Sequence, residues 1–272
     1  SPNEKPDKTF DVLWSKFLDS GKIQPKTLKG RLYYALNFPS RIFSKQRLLT
    51  KMLENEIAAV HGQLVGLKIL EPGSGTGVIS THLSYRGAEV YLLDISENAL
   101  KLSKKIPGYG NNRKLIHASM FEIPFANETF DVVWNEGVLE HFSEEQQVAA
   151  LREYSRVLKS SGLMVLVVPK EGSPFYQAGA KRAREAGIWH YGYEKPMSTL
   201  KNMVTQVEGL KILKEYSCGF LLETQFLSYF FTAASLRRLK QIYDLLNGWI
   251  NMILWPLNKL PGSLLVSVLS KE

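Results

Sequence analysis

One cysteine, Cys218, is all that this 272-residue chain contains. A single thiol cannot build an internal disulfide framework or a Cys-based zinc cluster. Cys218 follows an apolar run, as a small packed residue does. A reducing, cytoplasmic setting is the expectation. Long apolar runs are missing as well: no uncharged stretch reaches the ~18 residues of a membrane span. The opening Ser-Pro-Asn-Glu-Lys-Pro lacks the apolar core of a signal peptide. Dense charge is also absent. The net charge is +8, and residues 1–62 hold eleven Lys/Arg against six Asp/Glu, but Lys16, Lys22, Lys26, Lys29, Arg31 and Arg41 are dispersed. Such a surface can attract nucleic acid, an anionic membrane or an acidic substrate, and it also suits a plain solvated helical face.

At 44% hydrophobic and 22% charged, the chain can form one large core with an accessory piece. Residues 1–62 carry only helical spacing (Phe10, Leu13, Trp14, Phe17; later Leu49, Met52, Leu53, Ile57), which predicts an N-terminal helical cap. From residue 63 strand and helix signals alternate. Strands are predicted at Leu67–Glu71, Glu89–Asp94, Lys114–Ala118, Phe130–Asn135, Leu163–Pro169, Leu210–Ser217 and Leu264–Ser270. Most are continuous apolar runs, as strands covered on both faces are. Helices are predicted near Val78–Arg86, Glu97–Lys105, Glu144–Lys159 and Thr199–Val207. The third opens on a capping box, Ser143 with Gln146, and its stop is expected at Ser160-Ser161-Gly162. The alternation predicts an α/β, doubly wound, mostly parallel sheet. Residues 219–262 depart from it. They are rich in aromatics and leucine and read as a helical insert before the last strand: a packing element, a lid for an apolar substrate, or a surface for peripheral membrane contact.

The organising stretch is Leu67 to Ser80. An apolar run ends at Glu71, glycines follow at Gly73, Gly75 and Gly77, and a helix begins. Glycines there let a ligand approach the backbone, and the helix start offers it free N–H groups. A dinucleotide fingerprint needs a third glycine where Val78 stands, so the dinucleotide pattern fails. Glu71 would repel a pyrophosphate but suits an ammonium group, which points to an amino-acid-bearing cofactor. Asp94 ends the second strand 21 residues after Gly73, where a carboxylate can accept ribose hydroxyls. Ser119 with the following backbone can read an adenine edge, and Ile95 and Met120 can flank its ring. Asn135 and Glu136 end the fourth strand beside the same edge of the sheet.

With these residues the chain resembles the class I S-adenosylmethionine-dependent methyltransferases over roughly residues 64–218 and 263–270. The glycine loop, Asp94, Ile123-Pro124-Phe125, Leu139-Glu140-His141 and the Arg156–Gly162 turn carry the resemblance. It implies a seven-stranded sheet with the last strand antiparallel. It implies S-adenosylmethionine as cofactor and S-adenosylhomocysteine as product, with Glu71, Gly73, Gly75 and Gly77 at the methionyl end, Asp94 at the ribose, Ser119 and Met120 at the adenine. Many relatives carry Asp where Ser119 stands. Methyl transfer from a sulfonium is an in-line displacement that needs placement, and a base only if the acceptor must lose a proton. Glu136, His141 and His190 are the catalytic candidates. Metal-dependent relatives carry Glu-x-x-Glu-His on the loop after the fourth strand; Gly137 replaces the first Glu, so no metal is expected. The acceptor expected is a small or lipid-like molecule. The alternatives are an RNA or protein methyltransferase, for which no Asn-Pro-Pro-Tyr motif or RNA-binding module is present, and a non-catalytic cofactor-binding scaffold.

Overall fold

The computed structural model describes residues 45–106, 112–189, 191–231 and 236–272. The strands are β1 (Lys68–Pro72), β2 (Glu89–Asp94), β3 (Arg113–His117), β4 (Phe130–Glu136), β5 (Leu158–Pro169), β6 (Leu210–Cys218) and β7 (Leu264–Lys271). They form one sheet in the order β3-β2-β1-β4-β5-β7-β6, with β7 antiparallel to both its neighbours and every other pairing parallel. The predicted doubly wound sheet with an antiparallel last strand is what forms.

Alternation explains why the central strands are apolar throughout. Ile69, Val132 and Trp134 enter one apolar layer, and Leu70 and Val133 enter the other. Each layer is covered by helices. On the first lie α1 (Lys45–His61) and α2 (Val78–Ser84), which bring Leu49, Leu53, Ile57, Ile79 and Leu83. On the second lie α4 (Glu144–Val157), through Val148, Leu151 and Tyr154, and the single turn α6 (Lys201–Val204), through Met203 and Val204. The helix α3 (Glu97–Lys104) follows β2 under a Ser96 cap, and α5 (Pro174–Glu185) follows β5. The indole of Trp134, fully buried, donates to Ser80 Oγ at 2.8 Å, which ties β4 to α2 across the first layer.

One expectation needs correction. The helix after Ser143 keeps its capping box but ends at Val157 rather than Lys159, and residues 160–162, expected as its stop, lie within β5, which opens at Leu158. The cause is sheet capture. Thr129 N donates to Val157 O at 2.8 Å and Phe130 registers against Leu158, so the chain is pulled extended before Gly162. The helix α5 was not anticipated. The helix α1 falls within residues 1–62, expected as an N-terminal helical cap, and its Leu49, Leu53 and Ile57 lie in the same apolar layer as Ile69 and Val90 of the sheet. The rest of that cap, residues 1–44, lies outside the described residues, as does His190.

Residues 219–262 leave β6 and return at β7. They form a 3-10 segment Leu221–Phe231, the helix α7 (Arg237–Ile253) and a short 3-10 turn Trp255–Lys259. The 3-10 segment packs on α5 so closely that a Cβ at Gly179 would fall 2.4 Å from Phe226 O. Asn258, fully buried, accepts from Leu221 N and Leu222 N through Oδ1 and pins both ends of the insert together.

Candidate functional site

The carboxyl ends of β1, β2 and β4 meet the insert around one cavity of about 1200 Å³. At one end lies the loop after β1. Gly73, Gly75 and Gly77 all have positive φ, of 69°, 53° and 61°. Two of them are also sterically required: a Cβ on Gly73 would meet Val138 Cγ2 at 2.9 Å, and one on Gly77 would meet Leu92 Cδ1 at 2.3 Å. Ser74 N donates to Leu93 O, which extends the β1–β2 pairing into the loop.

Asp94 is buried and holds this loop. Its Oδ2 accepts from Gly75 N at 2.7 Å and its Oδ1 from Ser96 N at 2.8 Å. Glu71 is also buried and lines the cavity, with Oε2 lacking any hydrogen-bond partner. Burial, aided by Asp94 and Glu136, pushes its carboxyl up to about 8 against the Ser80 hydrogen bond. A buried carboxyl with one unpartnered oxygen at a glycine loop fits a cationic ligand group, so the site suits the ammonium of S-adenosylmethionine. Ile95 lines the same end although half exposed, and Ala118, Ser119 and Met120 complete it. Ser119 Oγ accepts from Phe121 N at 3.2 Å, and Met120 Sδ lies 3.2 Å from the Tyr154 hydroxyl.

Asn135 is a correction. It does not line the cavity: it is fully buried beneath it, with Nδ2 donating to the Tyr154 hydroxyl at 3.1 Å. Its neighbour Glu136 does line the cavity, and it pairs with Lys45 of α1.

The other end of the cavity is built on the turn Leu139–His141. Gln147 of α4 donates to Leu139 O at 2.7 Å and to Phe142 O at 3.0 Å, which fixes the turn. Glu140 O accepts from Lys195 N at 2.9 Å, and His141 Nδ1 lies 2.6 Å from Tyr193 O. A carbonyl only accepts, so Nδ1 carries the proton. Burial holds His141 below its ordinary range, which favours the neutral ring, although hydrogen bonds to Tyr193 and Gly137 oppose it. The loop that follows brings Glu194, whose Oε2 accepts from the Tyr176 hydroxyl at 2.9 Å. One ligand-type atom each of Glu140, His141 and Glu194 lies within 4.8 Å of the others. Burial pushes Glu140 well above the carboxylate range, and Glu194 and Glu136 add to the effect. Glu140 Oε2 has no hydrogen-bond partner. Burial likewise raises Glu194 to about 7, against the Tyr176 hydrogen bond and the charges of Arg184 and Lys45.

The wall opposite is aromatic. Tyr176 meets Phe226 edge-on at 4.9 Å between ring centroids, and Trp189 lies 5.2 Å from Tyr191 and 5.9 Å from Tyr229. Asp244, Asn247 and Asn251 of α7 add polar groups. The sequence marked residues 219–262, which hold Phe226 and Tyr229, as rich in aromatics, and singled out His190, which lies between Trp189 and Tyr191. It gave no signal for Tyr176, Glu194 or Lys45, each of which stands alone in its stretch.

Comparisons with known proteins agree with this fold. Residues 70–166 match the family described as a methyltransferase domain. An uncharacterized protein of Methanocaldococcus jannaschii is 29% identical over 201 residues, covering 74% of this chain and 76% of that one. Demethylmenaquinone methyltransferase of Staphylococcus aureus is 35% identical over 103 residues, 37% of this chain and 42% of that one. The chain thus spans about two fifths of the length of several curated relatives it matches. Among solved structures, magnesium protoporphyrin IX methyltransferase of Synechocystis, with S-adenosylhomocysteine bound, superposes with a TM-score of 0.57 over 98% of each chain at 14% identity. That likeness is one of fold.

Proposed function

We propose that this chain, which carries a methyltransferase domain with the class I fold, is an S-adenosylmethionine-dependent methyltransferase acting on a small, lipid-like acceptor. The observation that carries the reading is the continuity of the cavity. Its volume of about 1200 Å³ exceeds the usual range of a single ligand pocket, ~300–1,000 Å³. A cofactor-type loop lies at one end and an aromatic wall with titratable groups at the other, so two molecules can lie end to end.

S-adenosylmethionine supplies, when bound, a methyl group on a positively charged sulfur. The residues of this chain supply position. Glu71 accepts the ammonium, and Asp94 accepts ribose hydroxyls while still holding Gly75 and Ser96. Ser119 and the backbone at Met120 read the adenine edge, and Ile95 and Met120 flank its ring. Asn135 contributes from below, by fixing Tyr154 under Met120. On the acceptor side Trp189, Phe226 and Tyr229 exclude water and favour an apolar or flat molecule. A proton leaving the acceptor has Glu194, raised to about 7, and the ring of His141, held below its ordinary range by burial, at hand, with Glu136 held by Lys45. The name of the demethylmenaquinone relative supports a lipid-like acceptor.

The experiment is calorimetric titration with S-adenosylmethionine, followed by transfer of a labelled methyl group to quinols, phenols and lipids. Binding together with a labelled lipid product is expected. Absence of S-adenosylmethionine binding at millimolar concentration would sink the reading. Binding without product from any acceptor, RNA and protein included, would favour the scaffold alternative.

A further inference from the structure

The helix α7 wears its amphipathic pattern inside out. A surface helix ordinarily turns its apolar stripe to the protein and its polar side to water. In α7 the inward side is polar: Asp244, Asn247, Gly248 and Asn251 line the cavity, and Asn251 is only 5% exposed. Asn247 Oδ1 accepts from the Thr224 hydroxyl at 2.6 Å and from Asn251 Nδ2 at 3.2 Å, so the polar side is engaged with the protein. The outward side is apolar. Leu239, Ile242, Leu246, Trp249, Ile250 and Ile253 recur at intervals of three and four and are between 41% and 69% exposed. From Ile242 to Ile253 every exposed residue of the helix is apolar. Exposed leucines scattered singly need no explanation, but a continuous stripe over three turns does.

Charge decides what covers it. Residues 236–262 carry Arg237, Arg238, Lys240 and Lys259 against a single acid, Asp244, and that acid lies on the cavity side paired with Lys240 at 2.8 Å. The apolar stripe is therefore flanked by unopposed positive charge at Arg238 before it and Lys259 after it. Trp249 and Trp255 bring the indoles that favour the boundary between lipid and water. No described helix is long and apolar enough to cross a membrane. An apolar face rimmed by bases on a helix that does not span suits a helix lying in the interface of an anionic bilayer.

We propose that the outer face of α7 docks this protein on an anionic phospholipid surface. The helix then serves two sides at once: its outer stripe enters the headgroup boundary while its inner side forms a wall of the cavity. An acceptor dissolved in the bilayer would meet the protein at that wall. Docking itself does not depend on the methyltransferase reading, because the test below measures no turnover.

The test is sedimentation of the full chain with phosphatidylcholine vesicles, with and without 30% phosphatidylserine. The chain should bind the anionic vesicles, and binding should fall as salt rises through the range that screens surface charge, ~0.1–0.5 M. The variant Ile242→Ser/Leu246→Ser/Ile253→Ser should lose at least about tenfold in vesicle affinity with its melting temperature unchanged, because these side chains contact mainly solvent. Arg238→Glu/Lys259→Glu should remove the preference for phosphatidylserine. Brominated lipids should quench a fluorescence component that Trp249→Phe abolishes. The proposal is overturned if the wild type fails to bind anionic vesicles or if the triple variant binds them equally well. It is overturned also if light scattering shows a dimer that the triple variant dissolves while vesicles bind neither, which would make a second copy the occupant.

Discussion

The carboxylate of Asp94 accepts the backbone N–H of Gly75 at 2.7 Å, across 19 residues of sequence. The glycine loop and the acidic end of β2 are thus one unit before any ligand arrives. Replacing Asp94 by Ala removes a ligand contact and also strands the N–H groups of Gly75 and Ser96. Loss of hydrogen bonds to a charged group is worth about 1.5–3 kcal/mol, so S-adenosylmethionine affinity should fall roughly 10- to 150-fold. The melting temperature of the free protein should fall as well. Unchanged calorimetric affinity would end the ribose assignment.

With Glu71 as the proposed partner of the ammonium, cofactor binding should depend on pH. Its carboxyl, raised from 4.5 to about 8 by burial, is largely protonated at pH 7 in the free protein. A bound ammonium favours the carboxylate, so binding at pH 7 should release a proton, and affinity should climb as pH rises toward 8 and then level off. Titrations in two buffers of different ionisation enthalpy will show the proton release. Glu71→Gln should abolish it and weaken binding.

The same linkage applies to Glu194 as a matter of stability. A carboxyl raised from 4.5 to about 7 in the folded state stabilises the protein fully below pH 4.5, and that contribution is lost as pH rises through 7. Glu194→Gln cannot titrate and should flatten the decline in melting temperature between about pH 5 and pH 8. In an assay with an accepted substrate, the same variant should leave cofactor affinity intact and change turnover together with its pH profile.

Trp134→Phe probes the contact between β4 and α2. It removes the donor to Ser80 Oγ in a fully buried site, leaving that oxygen one partner short and a small void beside it. A loss of about 1–3 kcal/mol in urea unfolding is expected, with no change in the m-value. Stability equal to that of the wild type would show that the hydroxyl finds another partner.

Periodicity and turn chemistry made most of the fold legible. The β2 run Glu89–Asp94 and the capping box at Ser143 act over a few residues, and so they survive in the folded chain as the sequence spells them. The end of the helix before β5 was illegible, because the sheet competes for Leu158 with a partner 28 residues away, Phe130. In the site, Glu71, the three glycines and Asp94 stood out because each follows from the geometry of a strand end meeting a helix start. Asn135 and Glu136 are adjacent in sequence, yet only Glu136 reaches the cavity, since successive residues of a strand face opposite sides.

By itself the sequence determined the parallel sheet, the glycine loop after its first strand and the kind of cofactor that loop suits. These rest on local rules of spacing and backbone conformation. Only the tertiary structure brought Tyr176, Glu194 and Lys45 to one cavity with Glu140 and His141, and only it showed which side of α7 faces inward. Convergence of that sort depends on how helices and loops distant in sequence pack, and no local pattern of residues records it.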